Sequence, residues 1–432
     1  MSRMRVLATA YACEPGQGSE AGIGWNWARQ IAQHHDLWLI TRENNVAAIE
    51  TRARQEGLQG LTVIGFDLPR WTRFWKRKRR GAVAYFYLWQ SGLTRLARRL
   101  DREHDFDLVH HLTFASSWIP SGLSMVGKPF VWGPVGQHPR VPDRFLPKYD
   151  LKQRLAEPAK AFVRRCLMNL DPFLKHTFRK ADLILSLGNE FDRHVPPTVQ
   201  AKVKRFLACG TETPNIPAQR FERQGPLRVL FAGRLIHLKG IYMAIDAFLR
   251  LAEKAPDATL DILGDGPLRS RLEERVWELN MQDRIKLLGN RPHPETLERM
   301  HAADVFLFPS FEGAGMVVPE AMCAGMPVVC LDFGGPAEMT GDTRGICVPL
   351  EGDARKTARA LGDALIDLES DEPKRRRLAE SAFGWASSQT TWESKGERLA
   401  GLYAEAMDRH AGRTPVTVRA QAKASKGKRT AA

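Results

Sequence analysis

Short apolar runs alternate with helical stretches along most of the chain, and the alternation starts twice. In the first half, residues 5–10, 37–41, 61–66, 107–111, 130–132 and 183–187 read as strands. Residues 23–32 and 46–56 read as helices between them, with Ser19 in position to cap the first. Strands that are apolar throughout and separated by helices belong in a parallel sheet covered on both faces. A polar stretch with two prolines, residues 211–225, reads as a linker. The pattern then restarts, with strands at 227–232, 259–263, 285–288, 305–308 and 328–331. Residues 241–252 form a helix, with apolar side chains at 241, 245, 248 and 252. Another helix begins near Pro319, because proline suits a first helical position, and Gly325 stops it. The chain is thus α/β, with two doubly wound units. Ligands of such sheets bind beyond the carboxyl ends of the strands, so two facing units would enclose a cleft.

With 432 residues, of which 43% are hydrophobic, the chain can bury a core in each unit, which excludes a wholly disordered protein. No apolar run reaches the ~18 residues of a spanning helix. The N-terminus reads as a first strand and not as a signal peptide, so a cytoplasmic protein is expected. The six cysteines form no CxxC pair and read as small buried hydrophobes, not as a disulfide or zinc framework.

The net charge of +15 is local. Residues 70–80 (RWTRFWKRKRR) hold seven cations, residues 413–432 hold six, and neither stretch has an acid. Without those thirteen charges the remainder is +2. The tail has no apolar period and reads as disordered. In the internal stretch Trp71, Phe74 and Trp75 interleave with the cations, and the uncharged residues 81–93 follow. Cations attract anionic headgroups and aromatic rings favour the headgroup boundary, so residues 70–80 are expected on an anionic membrane surface. A solvated loop before a core helix fits the same residues. Nucleic-acid binding is disfavoured, since no recognised nucleic-acid module accompanies the stretch.

Four groups of residues could carry chemistry. Arg234 and Lys239 stand on the loop between a strand ending at Gly233 and a helix starting about Gly240. Two cations beside a helix N-terminus suit a diphosphate, although two surface cations on a loop would look the same. Glu312 lies on a loop with Gly313 and Gly315, and Glu320 falls in the next helix's first turn, where it could accept from the vicinal hydroxyls of a ribose. His110 and His111 end a strand, where one could enter the cleft or both could be satisfied core residues. No carboxylate or cysteine stands near them at metal-ligand spacing, so no metal site is expected. Gly16–Glu20 (GQGSE) marks a tight turn after the first strand.

Together these residues resemble the retaining glycosyltransferases of family 4, whose GT-B architecture faces two Rossmann-like domains across a cleft. The resemblance is most specific over Arg234–Lys239, Glu312…Glu320 and the Gly325-Met-Pro327 that follows, and Gly264-Asp-Gly-Pro267 also matches. It implies an acceptor-side domain at 1–215, a donor-side domain at 226–384, and a last helix, 385–410, that crosses back to the first domain. It implies catalytic roles for Glu312, His111, Arg234 and Lys239, with His110 the rival of His111. Donor binding would use Gly233, Arg234, Lys239, Gly264, Glu312, Gly313 and Glu320, and an acceptor-side loop would use Gly18, Ser19 and Glu20. The implied reaction moves a hexose-type sugar from a nucleotide-diphosphate donor to a saccharide or lipid-linked acceptor, with retention and without metal or cofactor. The implied place is the inner face of the cytoplasmic membrane, in polysaccharide or lipopolysaccharide assembly. An epimerase acting on a nucleotide sugar and a non-catalytic nucleotide-sugar binder are the alternatives.

Overall fold

The computed structural model describes residues 3–17, 19–72, 81–137, 139–145, 163–214, 216, 218–222 and 225–413. Residues 73–80 of the basic stretch, Gly18, and all but the first residue of the C-terminal tail lie outside them. Two parallel sheets form the scaffold. The first contains β1 (Arg5–Thr9), β2 (Asp36–Thr41), β3 (Leu61–Gly65), β4 (Leu108–His111), β5 (Phe130–Val135), β6 (Leu183–Ser186) and β7 (Val203–Arg205). The second contains β8 (Arg228–Ala232), β9 (Thr259–Leu263), β10 (Ile285–Gly289), β11 (Val305–Phe308), β12 (Val328–Leu331) and β13 (Gly345–Val348). Their orders are β3-β2-β1-β4-β5-β6-β7 and β10-β9-β8-β11-β12-β13. In each sheet the order reverses beside the first strand, between β1 and β4 and between β8 and β11. Those are the switch points where such sheets leave a crevice.

The strands are apolar on both faces because helices cover both. On one face of the first sheet Val6, Ala8 and Leu39 pack on Trp27 and Ala28 of the Ser19–His34 helix. On the other, Leu7, Ile40 and Val109 pack on Tyr85, Phe86, Trp89 and Leu93 of the Ala82–His104 helix. Most bulky side chains of residues 81–93 on that helix are core, and only Val83 and Leu88 among them are exposed large apolar groups. In the second domain Phe231 and Phe306 pack with Ile245, Phe248 and Leu365 in one core.

The proline-rich stretch after β7 is not a loose linker. The Thr211 N–H donates to Thr390 O at 2.8 Å and the Trp392 N–H donates to Thr211 O at 2.9 Å. The chain thus crosses between domains twice, side by side. Thr391 caps the second crossing by accepting from the Ser394 N–H. The expected single helix over 385–410 therefore breaks at these threonines. Trp385 ends in the Glu372–Gln389 helix under the Arg344 guanidinium, and the Trp392–His410 helix packs on the first domain. There Trp392 meets Trp27 edge-on, with ring centroids 5.5 Å apart. Lys395 is fully enclosed: its Nζ donates to Leu207 O at 2.8 Å and lies over the Phe206 ring. Burial pulls its pKa down to about 8.

His110 belongs to this interface. Its Nε2–H donates to Gly133 O and its Nδ1 accepts from Tyr403 Oη, both at 2.7 Å. Burial lowers its pKa to about 3, so the ring is neutral. Tyr403→Phe leaves Nδ1 buried with no donor, a cost of about 1–3 kcal/mol. A lowered urea midpoint of unfolding is the expected outcome, and an unchanged midpoint would remove His110 from the account of how the last helix is held.

Candidate functional site

The loops after β8 and β11 are locked together at the second sheet's switch point. The Phe311 N–H donates to Leu238 O at 2.9 Å, and Ser310 Oγ lies 3.5 Å from the same carbonyl. The β9 loop closes in from the other side. Gly264 has φ +122°, and a Cβ there would lie 2.1 Å from Gly233 O. Only glycine allows that backbone approach.

Lys239 leaves this framework from the short 3₁₀ turn His237–Lys239 and forms an ion pair with Glu312 Oε2. Its ammonium also sits 5.0 Å from the centre of the Phe308 ring. The two charged side chains are only 17% and 16% exposed. Sequence reading put Lys239 with Arg234 in one group and Glu312 with Glu320 in another; the structure joins Lys239 to Glu312. The second carboxylate oxygen, Glu312 Oε1, is buried without a partner. Arg234, in contrast, is exposed, and among the described residues its guanidinium makes no hydrogen bond or ion pair. The β8 loop thus carries a cation without a partner among the described residues, and the β11 loop a buried acceptor without one.

Glu320 lies in the first turn of the Val317–Cys323 helix. That helix starts two residues before Pro319. Gly315, at φ +61°, turns the chain into it, and proline is tolerated in a first turn whose N–H groups have no helical partner. Burial raises the Glu320 pKa, against an opposing effect of His293. Its carboxylate makes no hydrogen bond among the described residues.

On the first domain, Glu20 is not on a loop. It lies in the Ser19–His34 helix, is half-buried, and its Oε1 accepts the Phe114 N–H at 2.5 Å. Burial raises its pKa and that bond opposes the rise. Glu20 therefore fixes the loop after β4, where Phe114 has φ +57°. The side chain of Ser19 lies outside the described residues. His111 is enclosed, not open to the cleft, being 1% exposed. Its Nε2–H donates to Thr113 O at 2.9 Å. With Nε2 protonated and the pKa lowered by burial to about 4, Nδ1 carries a free lone pair, and it has no partner. Adjacent strand residues point to opposite faces, so the two histidines part company: His110 holds the last helix, and His111 keeps an unused acceptor.

The carboxyl edges of the two sheets face each other. Phe145 of the first domain packs on Phe311, with ring centroids 5.4 Å apart, and Arg144 donates to Leu350 O at 2.9 Å. Asn189 and Arg205 of the first domain meet Glu338 of the second. Sequence reading missed Glu338, although the paired glycines before it, Gly334 and Gly335, were a visible sign of close backbone packing.

Residues 212–385 match the family model described as "Glycosyl transferases group 1". That match spans the second domain. Among curated proteins, the chain is 29% identical over 254 residues to the alpha-D-kanosaminyltransferase of Streptomyces kanamyceticus, covering 54% of this chain and 64% of that protein. It is 31% identical over 221 residues to the putative colanic acid biosynthesis glycosyltransferase WcaL of Escherichia coli, covering 48% and 53%. The chain thus spans less than two thirds of the length of each. The fold is similar to a glycosyltransferase from Rickettsia africae, with TM-score 0.63 and 14% identity over 94% of this chain and 99% of that one. It is also similar to Anabaena HepE in complex with UDP and glucose, with TM-score 0.58 and 17% identity over 93% and 100%. The architecture is GT-B.

Proposed function

We propose that the chain is a retaining glycosyltransferase. It moves a hexose-type sugar from a nucleotide-diphosphate donor to a saccharide or lipid-linked acceptor, in the assembly of cell-surface polysaccharide or lipopolysaccharide. The observation that carries this reading is the set of charged groups on the β8 and β11 loops at the switch point. It combines an unpaired guanidinium, an ammonium held by a carboxylate, and a carboxylate oxygen with no partner.

The chemistry follows from those groups. Breaking the bond between the anomeric carbon and the diphosphate places negative charge on the leaving oxygen. Arg234 and Lys239, with the loop N–H groups beside them, oppose that charge in a partly dry site. Glu312 Oε1 is an acceptor without a donor, and a sugar hydroxyl supplies one. Glu320 accepts from the ribose hydroxyls. Retention places the acceptor hydroxyl on the face the diphosphate leaves. The colanic acid biosynthesis glycosyltransferase of Escherichia coli, to which the chain is similar, supports a place in surface polysaccharide assembly.

Loss of one such charge-stabilising group costs on the order of a hundredfold in turnover, about 2.7 kcal/mol. Arg234→Ala and Lys239→Ala are each expected to reach that loss with a folded protein, as judged by circular dichroism. Arg234→Ala is the cleaner variant, since the side chain is exposed. Near wild-type turnover in both would contradict the assignment.

A peripheral seat on the inner face of the cytoplasmic membrane, through residues 70–80, belongs to the same proposal. No described helix is long and apolar enough to cross a membrane. Trp71 is 77% exposed, and Val83, Leu88, Val163, Leu170 and Phe173 are exposed on the same domain. Tyr87 Oη donates to Asp171 Oδ2 at 2.8 Å, which ties the helix that carries Val83 and Leu88 to the cap of the helix that carries Phe173. Exposed apolar groups on the domain whose sequence carries the basic stretch suit an anionic headgroup layer. Flotation with vesicles containing anionic lipid should retain the protein, and neutral vesicles should not. Equal partitioning into both kinds would sink the membrane seat.

A further inference from the structure

We propose that Glu338 is a positioning residue, whose bridge to Asn189 and Arg205 holds the Glu312 loop in its working shape when the two domains are together. This rests on reading that loop as the donor side of a transferase.

Glu338 stands on the seven-residue helix Gly334–Thr340 of the second domain. Its carboxylate crosses to the first. Oε1 accepts the Asn189 N–H at 2.8 Å, and Oε2 takes the Arg205 guanidinium. Arg205 is held in turn by Asp192 Oδ2 at 2.9 Å and by the Asn189 side chain. Gly188 leaves room for the contact: a Cβ there would lie 3.1 Å from Glu338 Oε1. The socket is therefore built by the ends of β6 and β7, on the rim of the first sheet.

The other end of the same helix sits on the candidate donor loop. Cβ atoms at Gly334 and Gly335 would each lie 2.3 Å from a carbonyl, those of Glu312 and Gly313 respectively. Such contact leaves no slack between helix and loop. Glu338 is four residues from Gly334, about one helical turn or ~6 Å along the axis. One rigid turn thus joins the first domain to the backbone of Glu312. Separating the domains breaks the charged bridge or drags the helix, and either event is felt at the loop that carries the Lys239 partner. Charge-assisted bonds to a carboxylate suit this role, because they are strong when formed and are replaced by water when opened.

Two measurements on the full chain test this. The first is amide hydrogen exchange without any substrate. In Glu338→Ala and in Arg205→Ala, amides of residues 311–316 should exchange at least tenfold faster, with β8, β9 and β11 unchanged. An unaltered loop in both variants overturns the proposal. Arg205 is 43% exposed on the other domain, so its variant carries the test if Glu338→Ala does not fold. The second is steady-state kinetics with a nucleotide sugar. Glu338→Ala should lower kcat about tenfold with KM within threefold, and Arg205→Lys should retain more kcat than Arg205→Ala. Wild-type kcat in Glu338→Ala, or a rise in KM alone, also overturns it. If the wild-type protein transfers no sugar, the functional reading fails while hydrogen exchange still decides the role of Glu338.

Discussion

A lysine and a glutamate locked together in a nearly closed recess, with one carboxylate oxygen left over, set the terms for the rest of the molecule. Taking two charges out of water is costly, and their mutual attraction returns that cost only with good geometry and full hydrogen bonding. The Lys239–Glu312 pair lacks the second condition, since Glu312 Oε1 has no donor. Packed apolar side chains would stabilise the fold as well or better. The pair is therefore poor stabilising material and good ligand-binding material. It offers an incoming hydroxyl an acceptor whose partner charge is already in place.

Much of the surrounding backbone serves to hold that recess. Gly264 lets the β9 loop touch Gly233, Gly240 at φ +66° starts the Ile241–Ala252 helix against Pro309 O, and Gly334 and Gly335 press a helix onto the Glu312 loop. The recess thus sits in a network of backbone-to-backbone contacts that no larger residue fits. The first domain is held to it by the paired crossings at Thr211 and Thr391 and by the last helix, locked through His110, Tyr403 and the enclosed Lys395. His111 lies one residue from His110, so the same strand that anchors the last helix carries the free acceptor on its other face.

Local signals in the sequence carried the architecture far. The helix Ile241–Ala252 and the strands Thr259–Leu263, Val305–Phe308 and Val328–Leu331 have the bounds their apolar periods indicate. Strand β7 was not legible because Val203-Lys-Arg205 is three residues long with two cations. Strand β13 opens on Gly345, which reads as a breaker; it is there because a Cβ would lie 1.9 Å from Val328 O. The clustering of Lys239 with Glu312 was legible as a pattern, but their ion pair was not, since it depends on how two loops fold onto each other. Which of two adjacent histidines faces the core is set by a helix almost three hundred residues later. Glu20 and Glu338 act through backbone N–H groups distant in sequence, and no local spacing reveals such partners.

The most direct test of the central claim is calorimetric. Affinities for a panel of nucleoside diphosphates should be compared with those of the matching monophosphates, in the wild-type chain and in Arg234→Ala. A pyrophosphate cradle at the second switch point requires that at least one diphosphate bind tenfold or more tightly than its monophosphate, a difference of about 1.4 kcal/mol. The same cradle requires that the advantage collapse when the guanidinium is removed. Equal affinities throughout, or an advantage that survives in Arg234→Ala, would mean that these cations do not receive a diphosphate.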